Sequence, residues 1–175
     1  MAERWKPNVT VAAVAGRVRG GAANPAAAGP IEYLLVEEET GEGLRLNNPA
    51  GHLDPGESPV EAAVRETLEE TARVFTPERF LGLYLTRFGR SASGLDLTYL
   101  RIAFAGSVGE ADPARGLDDG IVRTLWMTLD ELRACPERHR SSLLLRCIED
   151  AAAGRSLPLE AIYTDPSVHA PAGRR

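Results

Sequence analysis

At 175 residues with 43% apolar and 26% charged residues, the chain is long enough to bury its own core and reads as an ordinary globular protein of one domain. Its 20 Lys and Arg against 25 Asp and Glu leave a net charge of −5, which argues against a binder of nucleic-acid polymers. Met1 to Pro7 lacks the apolar stretch of a signal peptide, and no apolar run reaches membrane-spanning length, so no membrane partner and a reducing cytoplasm are expected. In chain order, Asn8–Val18 reads as a Val- and Ala-rich strand, and Arg19–Pro30 as a small-residue loop inserted before the next one. Ile31–Glu38 is the second strand, Thr40–Gly43 a turn, and Leu44–Leu46 a short third strand. Gly51–Glu57 reads as a loop. Ser58 then offers an N-cap, Pro59 suits the first helical position, and Glu61 completes a capping box for a helix to about Arg73.

Thr76-Pro77 is expected to break the chain before two strands, Phe80–Phe88 and Leu97–Ala105, joined by the polar loop Gly89–Gly94. A long acidic loop, Gly106–Gly120, leads to a last strand at Val122–Met127. Thr128 and Glu131 form a second capping box. Ser141–Ala153 is a third helix with Leu144, Cys147, Ile148 and Ala151 on one stripe, stopped by Gly154. Ser167–Arg175 reads as a disordered tail, which leaves 1–166 as the domain. Cys135 and Cys147 lack metal-type spacing and read as neutral thiols. The order of elements implies an α/β fold, a mixed sheet with helices packed on its faces.

Chemistry concentrates between Gly51 and Glu70. Residues three and four apart share a helix face, so Glu66, Glu69 and Glu70 converge on one side. Like charges at that spacing cost roughly 0.2–0.5 kcal/mol per pair on an exposed helix. A solvated acidic face explains the triplet taken alone. A glycine-containing loop, Glu57, and Arg65 directly before the cluster favour a site for a hard cation, Mg2+ or Mn2+.

Gly51, Glu57, Arg65, Glu66, Glu69 and Glu70 stand at the spacing of the Nudix box: glycine, five residues, glutamate, seven residues, arginine-glutamate, two residues, glutamate-glutamate. The chain therefore resembles the Nudix hydrolases. Ala72 and Arg73 stand where the box ends in glycine and an aliphatic residue, and Thr67 replaces a usual aliphatic. Lys6–Ala12, Leu35–Glu38 and Asn47–Leu53 resemble a phosphatase branch of that family, a likeness reaching from Trp5 to about Leu159. The resemblance implies an α/β/α sandwich and Mg2+ held by Glu66, Glu69, Glu70 and the Gly51 carbonyl. It implies that Arg65 orients the acids, with Glu57 as its partner. It implies attack of water on phosphorus with release of phosphate from nucleoside tri- and diphosphates or from pyrimidine and thiamine pyrophosphates. Glu66 is one candidate base, and Glu110, Asp118 and Asp119 are the alternatives. An ADP-ribose or dinucleotide pyrophosphatase is a second reading, and a non-catalytic nucleotide sensor is a third from another class. The protein would act as a monomer or homodimer.

For substrate, Lys6, Arg45 and His52 are the first candidates, with Arg87 and Arg101 as further phosphate holders and Trp5, Tyr84 or Tyr99 as stacking surfaces; each cation alone is more often simply exposed, each aromatic more often core, and His52 as readily structural. Glu37-Glu38-Glu39 reads as a solvated strand end, and His139 and His169 as surface residues.

Overall fold

A computed structural model describes residues 5–20, 29–88 and 97–170. The elements run β1 (Asn8–Val18), β2 (Ile31–Thr40), β3 (Gly43–Asn47), β4 (Ala50–His52), α1 (Pro59–Thr71), β5 (Phe75–Phe88), β6 (Leu97–Val108), β7 (Ile121–Thr128), α2 (Leu129–Arg133) and α3 (Ser142–Ala152). The strand order is β3-β2-β1-β6-β5, with β4 paired to β1 and β7 to β2. β1 runs parallel to β6, from Asn8 opposite Tyr99 to Ala15 opposite Gly106, and the other pairings are antiparallel. β1 also changes partners along its length, since Gly16–Val18 pair with β2 while Thr10–Ala12 pair with β4.

The composition of β1 explains its central place. Val11 to Ala15 are all buried, so both faces of the strand are covered. Val11, Ala13 and Ala15 pack with Ala62 and Ala63 of α1 and with Phe75 and Phe104. Ala12 and Val14 pack on the opposite face with Leu144, Cys147 and Ile148 of α3. Small side chains on β1 let helices approach from both sides, which produces the expected α/β/α layering around a mixed sheet.

The caps form as the sequence implies. Ser58 Oγ accepts the Glu61 N–H at 3.2 Å while Glu61 Oε2 accepts the Ser58 N–H at 2.7 Å. Thr128 and Glu131 repeat the exchange at 3.2 and 2.7 Å. Helix α1 stops at Thr71, earlier than expected, because Ala72 turns left-handed at φ 55° with its N–H on the Leu68 carbonyl. Thr67 is fully buried, and its hydroxyl donates to the Ala63 carbonyl at 2.7 Å, which satisfies a polar group where an aliphatic is usual. Cys147 is buried and Cys135 partly so, and neither is in a disulfide.

Several boundaries differ from expectation. Ala50–His52 is a strand rather than loop, because its backbone pairs with Thr10–Ala12. Thr76-Pro77 does not break the chain; β5 runs through it, with a register slip between Pro77 and Arg79 on the edge strand, where proline is tolerated. β2 reaches Thr40 and β6 reaches Val108. The expected tail begins with structure, since Pro166–His169 form a 3-10 turn and His169 Nδ1 lies 3.1 Å from the Gly56 carbonyl. Most of the expected insertion, the loop at Gly89–Gly94 and residues 171–175 lie outside the described residues. Among the described residues, no helix is long and apolar enough to cross a membrane.

Removing the buried cap should be felt globally. Ser58→Ala is expected to lower unfolding stability by about 1 kcal/mol, seen as a lower urea midpoint with an unchanged slope. An unchanged midpoint would mean that the box does not anchor α1.

Candidate active site

β4 and the second and third turns of α1 face each other, and the site is built between them. Arg65 is the hub. Its Nε and Nη2 donate to the two oxygens of Glu57 at 3.0 and 2.7 Å, the paired geometry that suits guanidinium and carboxylate. Its Nη1 donates to Glu66 at 2.8 Å and to Glu69 at 3.0 Å, and Nη2 reaches the His52 carbonyl at 3.0 Å. These carboxylates hold the guanidinium firmly in its charged form. In return Arg65 draws the Glu57 carboxyl below its ordinary range.

Glu70 stands outside that network. Its Oε2 accepts the Ala50 N–H at 2.8 Å. Burial, reinforced by the charges of Glu66, Glu38 and Asp118, pushes its carboxyl up to about 8 against the pull of that single hydrogen bond. Burial raises Glu66 too, opposed by Arg65. Gly51 lies close to this side chain: a Cβ at this position would overlap the Glu66 carboxylate where it stands, so a larger residue would push that carboxylate aside.

The donors around Gly51 are oxygens of the kind that hard cations take. As they lie, Arg65 holds Glu66 and Glu69 while the Ala50 N–H holds Glu70. No set of three His, Cys, Asp or Glu among the described residues closes on one point. The acidic late loop comes back to this end of α1, where the Asp118 N–H donates to the Glu69 carbonyl at 3.0 Å. Glu110 instead sits fully exposed, 3.7 Å from Arg73.

Beside the cluster lies a cavity of about 320 Å³ whose wall includes Gly51, His52, Tyr99 and Arg101. His52 lies there with its ring 6.3 Å from Tyr99, and Phe88 meets Tyr99 edge-on at 5.4 Å. Two expected substrate residues are not brought to it. Lys6 is exposed outside the cavity, and Arg45 pairs with Glu42 at 3.5 Å on β3. Tyr84 is committed elsewhere, its hydroxyl bonded to Asp150 at 3.1 Å, and Trp5 lies exposed beside a separate depression with Arg87. Glu38, expected in a solvated strand end, and Arg140, not singled out by the sequence, both line the cavity. The acidic run is not a solvated end: Glu37 is buried and bridged by Arg123 and Arg138 at 2.7 and 2.6 Å. Strict alternation along β2 puts Glu38 on the opposite face from Glu37, a signal that three consecutive glutamates concealed.

A family model, the NUDIX domain, matches residues 27–145. The chain belongs to the Nudix family. It is 32% identical over 158 residues to the phosphatase NudJ of Escherichia coli and of Shigella flexneri, covering 90% of this chain and 92% of theirs. A Nudix hydrolase from Nitrosomonas europaea of solved structure is 45% identical, with a TM-score of 0.77 over 91% of this chain and 98% of that one. The Nudix domain of Shewanella oneidensis NrtR, solved with ADP-ribose, shares the fold at 18% identity and a TM-score of 0.62, covering 86% of this chain and 90% of that one. As a Nudix hydrolase, the protein acts on anhydrides of phosphorus-containing compounds.

The raised Glu70 carboxyl has a testable sign. A folded-state pKa above the unfolded value of 4.5 means that stability is greatest when the group is protonated and falls as pH climbs toward 8. In metal-free protein, Glu70→Gln keeps an acceptor for Ala50. Its melting temperature is expected to exceed the parent's by an amount that grows from about pH 5 to pH 8. A constant offset across that range would show that Glu70 is not a buried acid.

Proposed function

We propose that the chain is a single-domain, magnesium-dependent Nudix phosphatase that also accepts Mn2+. It releases phosphate from nucleoside tri- and diphosphates or from pyrimidine and thiamine pyrophosphates. The observation that carries this reading is the pair of glutamates, buried Glu66 and half-buried Glu70, packed against the backbone of Gly51 beside a cavity. Charges buried at such cost are kept where a cation offsets them. The likeness to NudJ over nearly the whole of both chains supports the phosphatase branch.

In this reading Glu66, Glu69, Glu70 and the Gly51 carbonyl hold the ion. When bound, the ion neutralises phosphate charge and acidifies a water. Arg65 keeps Glu66 and Glu69 extended toward one side and is itself fixed by Glu57. Glu66 accepts the proton from the attacking water; Asp118, which adds its charge to both Glu66 and Glu70, is the alternative acceptor from the late loop. His52 and Arg140, on the cavity wall, meet the substrate. The phosphatase works in a reducing cytoplasm, a setting that suits a buried Cys147 thiol pushed up to about 11.

With magnesium, the parent is expected to release inorganic phosphate from a nucleoside diphosphate, and Glu70→Gln to lower kcat by about a hundredfold or more with the fold intact by circular dichroism. Equal turnover of variant and parent in saturating magnesium would remove Glu70 from the site. Nucleoside monophosphate and a second phosphorylated fragment, in place of free phosphate, would move the protein to the pyrophosphatase branch.

A further inference from the structure

Buried polar atoms without partners are few in a folded protein, and each calls for an explanation. Among the described residues, four side-chain atoms are in this state: Glu38 Oε1, Asn48 Nδ2, Arg101 Nε and Arg73 Nε. The first three belong to one place. Glu38 and Arg101 both line the cavity beside the carboxylate cluster, and Asn48 lies directly behind Arg101.

Arg101 is held there loosely. It is 7% exposed, yet its Nη1 and Nη2 reach Asn48 Oδ1 and Asn47 Oδ1 only at 3.4 Å, and its Nε is unpaired. Glu38 has Arg140 as its nearest cation, at 3.6 Å, a separation beyond a good hydrogen bond. A guanidinium only donates and an ionised carboxylate only accepts. The cavity wall therefore carries a donor and an acceptor side chain, each with an unused polar atom, and their charges oppose. Such a pair has no net attraction for a diphosphate, which the Glu38 carboxylate would repel. It suits a neutral group that presents an acceptor and a donor side by side. Tyr99, Phe88 and His52 on the same wall add flat faces, against which an aromatic ring stacks.

We propose that Glu38 and Arg101 are specificity-determining residues that read the edge of a neutral heterocycle. The ring acceptor takes the Arg101 N–H, and an adjacent N–H on the same edge, ring or exocyclic amine, is accepted by Glu38, while the diphosphate lies toward Gly51. This deepens the reading of the site as a nucleotide-type hydrolase and rests on it.

Two substrates separate edge reading from stacking: cytidine diphosphate, whose base carries such an edge, and benzyl diphosphate, whose flat ring has no hydrogen-bonding edge. The measured quantity is the ratio of their kcat/KM values in magnesium. Glu38→Met is expected to lower that ratio about tenfold, as loss of one buried hydrogen bond implies, and Glu38→Gln, which still accepts, to restore most of it. Melting temperature checks that both variants fold. A ratio within about twofold of the parent's in Glu38→Met would overturn the proposal and leave these atoms to ordered water. Should the parent hydrolyse neither compound, the proposed phosphatase reading fails. Calorimetric binding of the same two compounds to parent and Glu38→Met then decides this inference by the same ratio.

Discussion

Glu57, Glu66 and Glu69 share one guanidinium, and Glu70 has only a backbone N–H. That unequal sharing is the constraint from which the rest follows. Arg65 makes it possible for a helix to carry three glutamates within five residues and still pack against β4. It also fixes the loop that precedes the helix, since Glu57 and the His52 carbonyl are both tied to it. What Arg65 cannot do is neutralise Glu70. The carboxyl left over is the one that burial raises furthest toward the neutral form. A metal-free molecule thus stores an electrostatic cost at the point where the family's chemistry needs positive charge.

The fold serves this arrangement through β1. Its small, doubly buried residues let α1 settle on one face and α3 on the other. Its partner switch places β4, and therefore Gly51, against the glutamates of α1. The end of α1 shows how tightly this is determined. Ala72 takes the left-handed conformation in which glycine is comfortable, at a cost of roughly 1 kcal/mol for an L residue. The helix has to end there so that the chain can turn into β5.

Much of this was legible in the sequence because it is written locally. Ser58 with Glu61 and Thr128 with Glu131 announce their helices through contacts three residues apart. Helix periodicity brings Glu66, Glu69 and Glu70 to one face, and the spacing from Gly51 to Glu70 carries the resemblance to the Nudix box that implies their chemistry. What was not legible depends on distant partners. Ala50–His52 is a strand only because β1 lies beside it. Pro77 is tolerated only because β5 is at the sheet edge. Glu38 becomes a cavity residue only when β2, β6 and the segment before α3 meet, and Lys6 and Arg45 are left out for the same reason. The turn at Pro166–His169 is held by Gly56, more than a hundred residues earlier in the chain.

In the proposed reading, this turn of α1 is kept acidic and crowded in order to hold a divalent cation. Proton release on magnesium binding tests it most directly. Calorimetric titrations at about pH 7, in buffers of different ionisation enthalpy, are expected to show release of close to one proton as Glu70 gives up its hydrogen to the ion. Binding without proton release, or no binding at millimolar magnesium, would contradict the account.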